Sequence, residues 1–138
     1  SLGKKVSEDK RNVLFKNFLE YVEYFQPDYF IMENVPNFIT KYNGKVYENA
    51  IKIINNLKGN YKISLPVKVL NAVEYGVPQN RKRMFLVGHK AELKYSYPKP
   101  THFHPKSDDS FKLKKYVTVA EAISDLPKIT DNWKIGGR

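Results

Sequence analysis

The chain has 138 residues, 41% of them apolar and 14% aromatic, which suits the core of one domain or of part of one. Lysine and arginine number 24 against 14 aspartates and glutamates, and the formal charge of +10 favours a polyanionic partner such as nucleic acid, with a solvated lysine-rich face as the plainer alternative. The absence of cysteine excludes a disulfide framework, a thiolate metal site and a thiol nucleophile within these residues. No apolar run approaches the roughly 20 residues of a membrane span, and the opening SLGKKVSEDK has no apolar core like that of a signal peptide, so a cytoplasmic location is the expectation. Ser1 in place of an initiating methionine fits a processed chain or an excised piece.

Beyond the polar segment Ser1 to Lys10, residues Leu14, Phe18, Val22 and Phe25 recur at helical spacing with Leu19 beside them. This predicts a helix that ends at Gln26-Pro27-Asp28, because proline disfavours helix in the residue before it. Tyr29 to Glu33 reads as a short strand with apolar neighbours on both faces, as in the central parallel strands of an α/β sheet. A second helix carries Val46, Ala50, Ile53, Ile54 and Leu57 and stops at Gly59, a residue suited to a left-handed cap. The period then changes to alternation at Ile63, Leu65, Val67 and Val69, with Pro66 demoting that strand towards a sheet edge. After NAVEYGVPQNRKR, another apolar strand, Met84 to Val87, is closed by Gly88. The alternation of helices and strands predicts a layered α/β domain.

From Lys90 to Tyr116 the prolines at 98, 100 and 105, the charge runs and the weak periodicity predict a long surface connection. Thr118 and Glu121 then have the spacing of a capping box, which predicts a short helix with Val119, Ala122 and Ile123 on its apolar side and Pro127 beyond its end. His102 and His104 share a proline-rich loop without a third ligand, so no metal is expected. Trp133 suits either base stacking or a core.

Two clusters carry candidate chemistry. Glu33 stands at the carboxyl end of its strand, the place where open α/β sheets bind ligands, and a partly desolvated carboxyl group there suits proton exchange with a heterocyclic base. The alternative is that Glu33 and Asn34 merely cap the next turn. Only four of the 24 basic residues are arginines, so each marks a place where the planar guanidinium is of use. Arg81 and Arg83 come after the turn residues Gly76, Pro78 and Gln79 and, two apart, can point the same way to grip a phosphate or an acceptor oxygen; an exposed basic strand entry is the competing reading.

Together these stretches resemble the middle of a DNA (cytosine-5)-methyltransferase. EDKRNVLF is similar to that family's D-x-R-x-x-L-F segment, MENVPNF to its Glu-Asn-Val motif, and LNAVEYGVPQNRKRMFLVG to its Q-x-R-x-R motif with flanks, while PKPTH and TVAEAISDLP are similar to stretches downstream of that motif in many members. The resemblance covers nearly the whole chain in the family's order. It implies part of a Rossmann-like S-adenosylmethionine-dependent methyltransferase fold, with residues 1–90 as the C-terminal half of the catalytic domain and residues 91–138 as a connection and the start of the target-recognition region.

The resemblance also implies roles. Glu33 would bind N3 and the exocyclic amine of a cytosine flipped from double-stranded DNA, favouring a protonated ring that is easier to attack at C6. Asn34 would hold the turn and Gln79 the loop, while Arg81 and Arg83 would share contacts to the base O2, its phosphate or the surroundings of the nucleophile. Leu14 would pack against the S-adenosylmethionine cofactor, or stand as an ordinary core leucine. Family members attack with a cysteine in a Pro-Cys-Gln loop, and SLGKK is similar to the residues just after that loop, so the nucleophile is expected immediately upstream of Ser1 and the 138 residues are expected to be inactive alone. A transfer-RNA cytosine-5 methyltransferase and a non-catalytic nucleic-acid-binding homologue are the competing functions; membership of a restriction-modification system is compatible with the first reading, and no oligomeric state is implied.

Overall fold

The computed structural model describes residues 14–104 and 113–127. The opening segment with Arg11 and the tail with Trp133 lie outside them. The chain divides into two compact units, one of Ser1–Asn71 with Lys82–Lys99 and the other of Ala72–Arg81 with Pro100–Arg138.

In the first unit the order is α1 (Leu14–Phe25), β1 (Tyr29–Asn34), a 3₁₀ turn (Pro36–Phe38), α2 (Lys45–Asn55), β2 (Tyr61–Ile63), β3 (Lys68–Asn71) and β4 (Lys82–Lys90). The nine-residue β4 organises the sheet. β1 runs antiparallel along one side of it, from Tyr29 opposite His89 to Asn34 opposite Met84. On the other side β2 and β3 lie one after the other, both antiparallel, with Ile63 opposite Gly88 and Lys68 opposite Phe85.

Three expectations about these strands need correction. Among the described residues β1 pairs with β4, antiparallel rather than in the parallel sense expected, and its side chains alternate, Phe30 and Met32 buried, Tyr29 and Ile31 exposed. The expected strand through Ile63 and Val69 is two strands, interrupted around Pro66, which has no N–H to give a ladder, and Leu65 is exposed there. Ser64 still donates its N–H to the Val87 carbonyl at 2.9 Å. Gly88 does not close β4; it lies inside the strand, opposite Phe30, where a Cβ would collide with the Phe30 ring. The glycine is there so that an aromatic ring can lie across the neighbouring strand.

Both helices pack on one face of this sheet. Phe15, Leu19 and Val22 of α1 and Ala50 and Ile54 of α2 meet Phe30, Met32, Met84 and Leu86 in the core. Edge-on ring pairs join the layers, Phe18 with Phe30 at 6.0 Å and Phe30 with Tyr61 at 5.4 Å, while the Tyr61 hydroxyl donates to the Pro27 carbonyl at 2.6 Å. The buried stripe of α1 is turned one position from the expected one: Leu14 and Phe25 are exposed, and Phe15 takes the place assigned to Leu14. α2 ends at Asn55, before Gly59; the Asn56 side chain donates to the Lys52 carbonyl at 2.8 Å, and Gly59 adopts the expected left-handed conformation in the turn beyond, φ +100°. After β4 the chain returns to the sheet, with the Tyr97 hydroxyl donating to the Phe85 carbonyl at 2.7 Å and the Tyr29 hydroxyl to the Lys94 carbonyl at 3.1 Å.

In the second unit a 3₁₀ turn (Ala72–Tyr75) leads to Gly76 at φ +87°, and the Glu74 carbonyl accepts from the Thr101 N–H at 2.9 Å. β5 (His102–Phe103) pairs in parallel with β6 (Lys114–Lys115), within the stretch expected to be a connection. α3 (Val119–Ala122) has the expected capping box, the Thr118 hydroxyl oxygen accepting from the Glu121 N–H and the Glu121 carboxylate from the Thr118 N–H. Its apolar side is not buried: Val119, Ile123 and Leu126 are exposed.

Candidate active site

β1 carries Glu33 to the end of the strand, on the sheet face away from α1 and α2, because alternation that buries Phe30 and Met32 must turn Glu33 the other way. Glu33 lies opposite Phe85, which makes Arg83, two residues back on β4, its diagonal neighbour. A long side chain spans that diagonal, and Arg83 Nε meets Glu33 Oε1 at 2.9 Å. The Glu33 side chain is 47% exposed and that of Arg83 23%, so the carboxylate remains reachable from solvent and the guanidinium is the more sheltered partner. The Arg83 Nη1 also donates to the Lys82 carbonyl at 2.8 Å. Tied at two points, the guanidinium holds the carboxylate from one side and leaves its outer face open.

The turn after the strand is held by the other residue of the pair. Asn34 Oδ1 accepts from the Val35 N–H at 2.8 Å, and Pro36 then opens the 3₁₀ turn. Asn34 therefore does what the capping alternative assigned to both residues, and the Glu33 carboxylate is committed to Arg83 instead.

Beside Glu33 opens a groove of about 580 Å³ between the start of α1 and the end of β1. Leu14, Phe18, Ile31 and Phe38 give it apolar walls, and Glu33, Asn34, Asn37 and Lys41 give it polar ones. Leu14 stands at its rim, 65% exposed among the described residues. Asn37 and Lys41 were not picked out from the sequence, since a polar loop such as PNFITKYNGK carries no periodicity to mark which residues face a groove. Asn37 Oδ1 accepts from the Thr40 hydroxyl at 3.0 Å, which fixes its amide.

Glu33, Asn34 and Leu14 thus share one groove and Arg83 reaches it through Glu33. Gln79 and Arg81 belong to the second unit, both exposed, in a loop held by the Ala72 N–H donating to the Arg81 carbonyl at 3.0 Å and the Gln79 N–H to the Val77 carbonyl at 2.7 Å. Among the described residues no cluster of histidine, aspartate and glutamate is arranged to hold a metal ion.

The described residues thus form a mixed helix and strand architecture of the α/β class, with helices on one face of a sheet. A solved relative has that architecture: the structure of a DNA modification methyltransferase encoded within a prophage of E. coli superposes with a TM-score of 0.65 at 33% identity, over 91% of this chain and 33% of its own. The family model for C-5 cytosine-specific DNA methylase matches residues 1–136, and the chain belongs to that family. It is 35% identical to the Type II methyltransferase M1.HphI of Haemophilus parahaemolyticus and 38% identical to the Type II methyltransferase M.AquIA of a Picosynechococcus strain, each over 93% of this chain. It spans 30% of the first relative's length and 56% of the second's.

Proposed function

We propose that these residues form part of an enzyme that transfers a methyl group to C5 of cytosine in double-stranded DNA, acting on a base turned out of the helix. The observation that carries this reading is the Glu33 and Arg83 ion pair at 2.9 Å, standing at a groove in a chain of the C-5 cytosine-specific DNA methylase family. A target base must leave the stack because its reactive carbon is covered there. Once it does, an ionised Glu33 can accept hydrogen bonds from the exocyclic amine and from a protonated N3, and so lower the cost of the positive charge that makes C6 open to attack. Arg83 positions that carboxylate, and Arg81 and Gln79 help hold the base and its loop. Asn34 keeps the strand end in shape.

S-adenosylmethionine, when bound, supplies the methyl group. Its fit to this chain rests on the exposed Leu14 and the apolar wall beside it, which suit a flat ring better than water. A thiol for attack at C6 is not among these residues and would come from sequence outside them, so residues 1–138 alone transfer no methyl group. In this reading residues 1–90 complete the catalytic domain, residues 91–138 lead into target recognition, and the enzyme works in the cytoplasm, on the nucleoid in a bacterium, as the modifying half of a restriction-modification system.

The test is made on the complete enzyme. Glu33→Gln keeps shape and some hydrogen bonding but removes the charge, so the single-turnover methylation rate should fall by about 10²–10⁴-fold while duplex affinity changes little. Arg83→Ala should lower both. A folded Glu33→Gln enzyme that methylates at the parent rate would rule out the role given to Glu33.

A further inference from the structure

On the sheet face that carries Glu33, but towards the other end of β4, a second cavity of about 480 Å³ opens between the β2–β3 interruption and the segment after β4. Ser64, Lys68, His89, Lys94, Tyr95 and Tyr97 line it. Arg83 and His89 are six residues apart on one extended strand, which at ~3.3 Å per residue puts the His89 wall about 20 Å from the guanidinium that holds Glu33. The cavity is therefore separate from the groove beside Leu14.

Its chemistry is unusual for a surface recess. The Ser64 hydroxyl oxygen is buried without a hydrogen-bond partner, a cost that a hydrogen-bonding ligand removes. His89 is a buried polar residue whose Nδ1 lies 2.8 Å from the Lys90 carbonyl; a carbonyl only accepts, so Nδ1 carries a hydrogen and the contact fixes the ring. Tyr95 and Tyr97 meet edge to face at 5.2 Å, and Tyr97 is fixed by its hydrogen bond to the Phe85 carbonyl, so the aromatic wall is rigid. Lys68 and Lys94 are exposed at the cavity, and Lys62, opposite His89 on β2, shares that face. Ammonium groups, a rigid aromatic wall and a buried hydroxyl together match a ligand with an anionic end and a flat ring.

We propose that this cavity binds a nucleoside phosphate unit, with its phosphate between Lys68 and Lys94 and its base against Tyr95 and Tyr97. Stacking on an aromatic side chain tolerates any base, and lysine serves phosphate as a point charge. The volume lies within the range of about 300–1,000 Å³ typical of small-ligand sites. The unit can be a free mononucleotide or one nucleotide of a DNA strand, and the site is independent of the methyl-transfer reading.

The experiment tracks backbone amide resonances of the complete ¹⁵N-labelled enzyme with two probes, dAMP and a short single-stranded oligo(dA). Saturable shifts at Ser64, His89, Tyr95 and Tyr97 are expected, with deoxyadenosine and inorganic phosphate each weaker than dAMP by at least about tenfold, since neither fills both halves of the site. Lys68→Ala/Lys94→Ala, which removes only exposed charge, should weaken binding by at least about tenfold, and Glu33→Gln should bind as the parent does. Response to dAMP assigns the site to free nucleotide; response to oligo(dA) alone assigns it to a DNA strand. No shift at these residues with either probe, or binding that survives loss of both lysines unchanged, overturns the proposal.

Discussion

The two units of this chain are held by different kinds of interaction. In the first, a nine-residue strand has partners on both sides and a helical layer beneath it, and Leu19, Ile54, Met84 and Leu86 are buried almost completely. In the second, no described residue is fully buried, the strands are two residues long, and the order that exists comes from a left-handed glycine, a capping box and short backbone hydrogen bonds. A contact between distant residues fixes geometry only when a core supports it; a cap or turn fixes geometry without one. Accordingly the Glu33 and Arg83 pair, which joins residues 50 positions apart, belongs to the first unit.

Two glycines give the sharpest way to break this comparison. Gly88→Ala drives a Cβ into the Phe30 ring, which is buried and cannot turn aside, so the loss of stability should reach or exceed the upper end of the ~1–3 kcal/mol typical of overpacking. It should appear as a lower midpoint for the whole first unit in thermal or urea unfolding. Gly76→Ala also meets a ring, His102 at 2.7 Å, but that side chain is only half-buried and can move. What remains is the left-handed backbone at φ +87°, a penalty of about 1–2 kcal/mol, expected as faster amide exchange at Glu74, Thr101 and His102 with the main unfolding transition unmoved. Equal effects of the two substitutions on the main transition would mean that the units do not differ in the way described.

Smaller still is Thr118→Ala, which removes the α3 cap at a cost of about 1 kcal/mol, visible as faster exchange at Glu121 and Ala122 and absent from the main transition. The cap also has a pH signature. Hydrogen bonds from the Thr118 N–H and hydroxyl, at 2.7 and 2.8 Å, hold the Glu121 carboxyl below the ordinary glutamate range because they favour its charged form. Its contribution is present in full above the ordinary glutamate value and disappears as the pH falls through the lowered one. NMR titration of Glu121 should place its midpoint below that of an unpaired glutamate, and Thr118→Ala, which removes the hydroxyl donor but keeps the larger effect of the backbone N–H, should raise it only part of the way back.

The same division separates what the sequence made legible from what it did not. The α3 capping box, the left-handed Gly59 and the end of α1 before Pro27 were readable because each depends on residues within a few positions of one another. Glu33 and Arg83 were readable as candidates, one from its place at a strand end and the other from the scarcity of arginine, and the family membership from the order of the motifs. That the two side chains touch was not, since it depends on the antiparallel register of β1 on β4. The orientation of β1 and the place of Gly88 inside a strand were likewise decided by pairing across long separations. Composition and local spacing set which residues can form a helix, a cap or a candidate acid; which apolar residues are buried and which charged groups meet is chosen only when the sheet assembles, because burial and ion pairing are properties of neighbours that the chain brings together from afar.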